Sequence, residues 1–194
     1  VPLNALQPML DPGVQPRWLP GWVAVSAAYA AVRRYASASA PLLASPGHGA
    51  VFWATKALGE WLALDLDGQV GWAQASALSL AEPAGEGAVT HATLHQGTLQ
   101  LWQGTTPLAA LRVNAPTALA PGEQRILRRL PGGPLAGRLG VPWQVITDQG
   151  LTLHGAYWHH QWGGSLAEPR VELSVIGAQM VFGLLSPGQR LIMG

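Results

Sequence analysis

Residues 60–73 restrict the fold more than any other segment, because they have the pattern of a β-hairpin. The leucines of the first strand alternate with other residues and so share one face: Leu62, Leu64 and Leu66. Asp67-Gly68 follows, a dipeptide typical of two-residue turns because both positions adopt φ > 0. Residues 69–73 form the return strand. The segment therefore predicts antiparallel β-structure, and residues 26–80 as a whole predict a small β-barrel.

Two further segments of this half bear on that prediction. Residues 49–55 have the pattern of another strand. Residues 26–40 are rich in alanine, which favours a helix by intrinsic propensity. A strand near Val32-Arg33 is the alternative, and composition alone leaves the two open.

The second half predicts a meander followed by one helix. Strands are expected at 89–94, 98–102, 108–113, 124–130 and 143–147, with a loop at 131–134. A helix is expected near residues 174–185, because Ser174 can cap its start and Pro187-Gly188 can end it. Residues 189–193 could add a closing strand. The expected fold class is mostly β, with a single C-terminal helix.

Proline and glycine content predicts the domain organisation. Residues 1–25 contain five prolines and two tryptophans, a density that predicts an extended arm rather than a helix or a central strand. Residues 81–87 have the composition of a linker. We therefore expect an arm at 1–25, one domain at 26–80, a linker at 81–87 and a second domain at 88–194.

The composition excludes several classes of protein. The chain has 11 basic and 10 acidic residues among 194, or 11% charged, whereas about 25% is typical of soluble domains. The basic residues are scattered, which argues against nucleic acid as a partner. No apolar run reaches the roughly 18 residues of a transmembrane segment. The sequence has no cysteine, which excludes disulfides, thiolate metal sites and cysteine nucleophiles.

The first half resembles a bacterial SH3-like (SH3b) domain. Residues 32–34, 38–41 and 59–61 contribute to the resemblance, and the most specific part is the stretch Asp67-Gly68-Gln69-Val70-Gly71-Trp72. The likeness implies a small barrel between residues 26 and 80.

Residues 153–159 of the second half read Leu-His-Gly-Ala-Tyr-Trp-His. They correspond to a His-Gly-x-Tyr-Trp-His segment, and in this the second half resembles an L,D-transpeptidase (YkuD-type) catalytic domain. The resemblance implies that His154, Gly155, Tyr157, Trp158 and His159 line the family's active-site pocket. It also implies an extracytoplasmic protein of the cell envelope, and Val1, which is not an initiator methionine, fits a mature form after signal removal.

The catalytic motif of that family is changed at every chemically active position. Counting from His154 places the Ser-His-Gly-Cys motif and its following asparagine on Ala167, Glu168, Pro169, Arg170 and Glu172. The family's cysteine thiolate attacks a peptidoglycan stem peptide, whereas a guanidinium stays protonated and cannot act as a nucleophile. Pro169 also lacks the N–H that an oxyanion hole requires. The resemblance therefore implies a site without the inherited catalysis, and no catalytic residue is expected.

The same residues allow other interpretations. His154, His159 and His160 with Glu168 and Glu172 could form a metal or acid–base site, but their spacing fits no metal motif and we expect no metal and no cofactor. Arg170 shares one strand face with both glutamates, which predicts an ion pair filling the emptied site; three solvated loop charges are the alternative.

Three functions are compatible with these features. The first is an inactive L,D-transpeptidase homologue that acts as a binding or assembly subunit of the bacterial cell envelope, favoured by the low charge and the Pro/Trp-rich arm. The second is a non-cleaving peptidoglycan-binding protein. The third is an enzyme with rebuilt chemistry that uses His154 or His159 with Glu168.

Overall fold

The computed structural model describes residues 15–83, 89–117 and 119–194. Within these ranges the fold is mostly β, with a single α-helix, as predicted. The chain divides into two compact units, one formed by Val1–Glu82 with Pro131–Val141 and the other by Pro83–Leu130 with Pro142–Gly194. No helix of the described residues is long and apolar enough to cross a bilayer.

The first unit contains a seven-stranded antiparallel sheet in the order β3-β2-β6-β5-β4-β1-β7. Its strands are β1 (Gly21–Val25), β2 (Val32–Arg33), β3 (Leu42–Ala44), β4 (Val51–Leu58), β5 (Trp61–Leu66), β6 (Gln69–Gln74) and β7 (Leu78–Leu80).

The predicted hairpin is confirmed in the first unit. Leu66 pairs with Gln69 across the turn, and Asp67 and Gly68 have φ of 61° and 85°. The Asp65 carboxylate accepts the Gly68 N–H at 2.7 Å, which closes the turn. Leu62, Leu64 and Leu66 are all buried, because alternation places them on the core face.

In the first 40 residues, one prediction needs correction and one open alternative is decided. Gly21–Val25, placed in the extended arm, is a strand between β4 and β7, because the run of prolines ends at Pro20 and Val23 and Val25 alternate into the core. Of the two alternatives left open for residues 26–40, the strand near Val32-Arg33 is confirmed as β2, and these residues form no helix. Their backbone N–H groups bond to distant carbonyls instead, such as Ala30 to Pro46, so the sheet overrides alanine propensity. The rest of the predicted arm, 1–14, lies outside the described residues.

The second unit contains the predicted meander within an eight-stranded sheet. The sheet order is β10-β9-β8-β17-β12-β13-β14-β16. The strands are β8 (His91–His95), β9 (Thr98–Gln103), β10 (Thr106–Arg112), β11 (Ala115–Pro116), β12 (Gly122–Leu135), β13 (Arg138–Thr147), β14 (Thr152–Gly155), β15 (Ser165–Leu166), β16 (Arg170–Leu173) and β17 (Arg190–Met193). β11 and β15 form a separate parallel pair.

The predicted loop at 131–134 is wrong, because these residues continue strand β12. They belong with 135–141 to the first unit, although the sequence predicted one continuous domain from 88 onwards. Gly132 explains the close packing there: a Cβ at this position would lie 2.2 Å from the Val51 carbonyl oxygen. The predicted linker at 81–87 is described only as far as residue 83.

The predicted helix is confirmed as α1 (Val175–Leu184). The Ser174 hydroxyl accepts the Gly177 N–H at 3.0 Å, the bond that an N-cap serine forms. Its buried face includes Phe182, whose ring packs edge-to-face on Trp143 with centroids 5.2 Å apart. The helix packs against β14 and β16, which carry the candidate site.

Candidate functional site

Parallel pairing of β14 with β16 brings the two predicted site segments together. The register places His154 opposite Glu172, and Arg170 opposite Thr152. His154 and Arg170 are therefore on adjacent strands, two register positions apart. The two segments that the sequence resemblance singled out are thus neighbours in the sheet.

Arg170 is held between two carboxylates. Its Nη1 pairs with Oε2 of Glu168, and its Nε lies 3.4 Å from Oε1 of Glu172. The Glu172 side chain is 4% exposed and that of Glu168 is 60% exposed, so only one of the two pairs is shielded from water. The predicted ion pair is thus present, and the alternative of three solvated loop charges is wrong.

Two polar side chains from outside β16 also form hydrogen bonds with the Glu172 carboxylate. His159 Nε2 lies 2.9 Å from its Oε2, and Asn114 Nδ2 lies 3.4 Å from the same oxygen. Asn114 is tied to Glu172 through the backbone as well, with N–H to carbonyl bonds in both directions of 2.9 and 3.0 Å. A buried carboxylate is therefore satisfied by a cation, an imidazole and an amide.

The hydrogen bonds of His159 leave neither of its nitrogens free. The Gln161 backbone N–H donates to Nδ1 at 3.3 Å, so Nδ1 is the unprotonated nitrogen. Nε2 then carries the proton and donates it to Glu172. The Trp162 ring covers the imidazole at 4.8 Å. His159 is thus a structural partner of Glu172, not an available base.

Unlike His159, His154 has only one of its two ring nitrogens in a hydrogen bond with the described residues. Its side chain is buried, and Nδ1 donates to the Gly155 carbonyl at 3.3 Å, which leaves a lone pair on Nε2. Nε2 has no hydrogen-bond partner among the described residues. Burial lowers the pKa of His154 from 6.5 to about 4, since the charged form would lose its hydration. The imidazole is therefore neutral at neutral pH.

Packing accounts for the residues next to His154. A Cβ at Gly155 would lie 2.8 Å from Cγ of Pro142 and 3.3 Å from Cβ of Ala178, so only glycine fits beneath the helix. The Trp158 ring lies 5.8 Å from that of His154 and 5.1 Å from that of Tyr157. These half-buried aromatic rings form one wall of the site.

The loop before β16 supplies little beyond Glu168. Ala167 and Pro169 are exposed, and the Pro169 carbonyl accepts the Thr152 N–H at 3.4 Å. Within 15–83, 89–117 and 119–194, no group of three or more His, Asp or Glu side chains is arranged to hold a metal ion.

Of the known proteins compared with this chain, only solved structures are similar to it. Neither a family model nor a curated protein sequence matches the chain. An L,D-transpeptidase from Enterococcus faecium is 12% identical over 55% of this chain and 50% of its own, with a TM-score of 0.47. L,D-transpeptidase 1 from Mycobacterium tuberculosis is 14% identical over 64% and 77%, with a TM-score of 0.46.

A further L,D-transpeptidase from Mycobacterium tuberculosis is 15% identical over 70% of this chain and 76% of its own, with a TM-score of 0.47. The chain spans about half the length of the Enterococcus faecium protein. At these identities nothing about chemistry follows from the likeness, and the function is inferred from the site residues.

Asn114 is the site residue that sequence analysis missed. Its side chain accepts the Gly164 N–H at 2.8 Å and donates to the Gln161 carbonyl at 3.0 Å, so it ties the loop after His159 to Glu172. It lies between β10 and β11, about 40 residues before the motif. No local pattern marks it, because its partners come close only in the folded chain.

Proposed function

We propose that this chain is a catalytically inactive L,D-transpeptidase-like protein of the bacterial cell envelope, which acts as a binding or assembly subunit. One observation carries the proposal. Arg170, held between Glu168 and Glu172 beside His154, occupies the position that the sequence resemblance assigns to a catalytic cysteine. A protonated guanidinium fills the place where acyl transfer needs a thiolate.

The surrounding groups support loss of the reaction. Pro169 cannot donate a backbone N–H to an oxyanion, and loss of one such donor alone lowers a rate by about 10²–10³. His159 is engaged at both nitrogens. An acyl-transfer step would therefore lack its nucleophile, its base and one oxyanion donor.

An enzyme that uses His154 or His159 with Glu168 for a new reaction is the weaker alternative. Glu168 is already paired with Arg170 and does not form a dyad with either histidine. His154 Nε2 is buried, and an imidazole with a pKa of about 4 is a weak base at neutral pH.

Incubation with a carbapenem is expected to leave the mass of the protein unchanged. An L,D-transpeptidase with an intact cysteine, treated in parallel, should gain the mass of one carbapenem molecule, because its thiolate opens the β-lactam ring and no fragment leaves. Intact-protein mass spectrometry measures both. A covalent adduct on this chain, or release of product from a stem peptide, would contradict the proposal.

A peptidoglycan-binding role is the second candidate, and one groove favours it. The groove has a volume of about 320 Å³ and lies beside the 163–165 loop in the second unit. Its described lining residues carry no charge and include Gly97, Gly163 and Gly164. Walls of small residues and exposed backbone suit an extended, neutral peptide segment.

Fractionation of envelope extracts separates the two roles. An assembly subunit is expected to elute well above its own 20.4 kDa and to stay in the supernatant when purified sacculi are sedimented. A peptidoglycan-binding protein would sediment with the sacculi. Elution as a free monomer without retention on sacculi would contradict both.

A further inference from the structure

We propose a second binding site, in the first unit, that takes an organic ammonium group. The cavity has a volume of about 170 Å³ and lies among β1, β4, the Asp67-Gly68 turn and the 132–140 part of the β12–β13 hairpin. All of these residues belong to the first unit, so the site is independent of the function proposed for the second.

Two tryptophans form the aromatic wall of this cavity. Trp22 of β1 and Trp53 of β4 are directly opposite each other in the antiparallel register. Their ring centroids are 5.1 Å apart and their planes meet at 62°, so the two rings form a corner rather than a stack. Both are half-buried and line the cavity. Indole faces attract cations through the ring quadrupole, and ligand ammonium groups are recognised in this way.

Two carboxylates supply negative charge to the same cavity. Asp65 and Asp67 line it from the β5–β6 hairpin. The Asp65 Oδ1 accepts the Gly68 N–H, and neither carboxylate forms an ion pair with another described residue. No basic residue is among the described residues that line the cavity. Two carboxylates with no basic partner in the described part of the chain, next to indole rings, favour a cation and disfavour an anion.

The remaining wall is formed by glycines packed against β4. A Cβ at Gly140 would lie 2.4 Å from Cζ of Phe52, and one at Gly132 would lie 2.2 Å from the Val51 carbonyl oxygen. No side chain from these positions can fill or neutralise the cavity. A cavity of about 150 Å³ holds a benzene molecule, so the present one suits a head group of about six heavy atoms. The ligand is therefore an ammonium group with its attached carbons, such as a trimethylammonium or a lysine-like chain end.

The test follows the indole N–H signals of Trp22 and Trp53 by NMR in the ¹⁵N-labelled full chain at low salt. The probes are choline, n-butylammonium and the neutral choline isostere 3,3-dimethyl-1-butanol. We expect both cations to shift the two signals saturably and the alcohol to leave them in place. The tighter cation then identifies a quaternary or a primary ammonium as the natural head group.

Two substitutions test the carboxylates without disturbing the turn. Asp67→Asn tolerates the left-handed backbone at φ 61°, and Asp65→Asn keeps an oxygen that accepts the Gly68 N–H. Each should weaken cation binding by about fivefold, the factor expected for one charge pair near 4 Å in water. The exposed Asp148→Asn variant, in the second unit, should bind as the parent does. Equal shifts with the neutral alcohol, no shift with either cation, or unchanged affinity in both cavity variants would overturn the proposal.

Discussion

Replacement of Glu172 by alanine is expected to lower the free energy of unfolding by about 3 kcal/mol. The side chain is only 4% exposed, accepts hydrogen bonds from His159 and Asn114, and forms an ion pair with Arg170 at 3.4 Å. Removing one partner of a buried ion pair costs about 3–5 kcal/mol, because the remaining charge stays desolvated and unpaired. The low end of this range applies because the Arg170 side chain is 22% exposed and retains some hydration.

Glu168→Ala is the matched control, since Glu168 pairs with the same arginine. Its side chain is 60% exposed, and exposed ion pairs contribute about 0–1 kcal/mol. Urea unfolding followed by near-ultraviolet circular dichroism measures both variants. Equal losses of unfolding free energy for the two variants would mean that burial of Glu172 does not determine how strongly it pairs with Arg170.

A third variant separates charge from shape at the same position. Glu172→Gln keeps an oxygen that accepts the His159 Nε2–H but removes the charge opposite Arg170. Its loss should fall between those of Glu168→Ala and Glu172→Ala, because the hydrogen bond survives and the ion pair does not.

Features set by neighbours along the chain could be predicted from the sequence. The 61–74 hairpin depends on alternation and on the Asp67-Gly68 turn, both local properties. The start of α1 depends on a serine that reaches a backbone N–H three residues on. The Arg170 pairing depends on residues two apart on one strand face.

Features set by contacts between distant segments could not be predicted from the sequence. Strand β1 pairs with β4 and β7, which start about 30 and 57 residues later, and proline density alone gave no sign of this central position. Asn114 reaches Glu172 from 58 residues away. The 131–141 segment belongs to the first unit, where Gly132 lets the backbone approach Val51, and a glycine in the sequence does not reveal such a distant contact.

Packing alone gives a reason for the His154-Gly155 pair. Gly155 is required by the close approach of Pro142 and Ala178, and His154 is a neutral, buried side chain in the strand that α1 covers. The match at Gly155 can therefore follow from the packing of β14 against α1, without any retained chemistry.

Acid is expected to destabilise the protein through His154, by about 3 kcal/mol between pH 6.5 and pH 4. Burial lowers the folded-state pKa from 6.5 to about 4, so over this window the unfolded chain binds a proton that the folded chain does not. Stability then rises with pH across the window and is lost as pH falls, by about 1.4 kcal/mol for each unit of pKa difference. Above pH 6.5 both states are neutral and the effect is absent.

A comparison of variants separates the effect of His154 on the pH dependence of stability from the effect of the carboxylates. His154→Gln replaces the imidazole with a group that does not titrate, so its unfolding free energy should depend less on pH than that of the parent by the same 3 kcal/mol. The exposed His160→Gln should follow the parent. Urea midpoints at half-unit steps from pH 4 to pH 8 give the curves. Parallel curves for the parent and His154→Gln would contradict the prediction and would mean that the His154 imidazole is hydrated in the folded protein rather than buried.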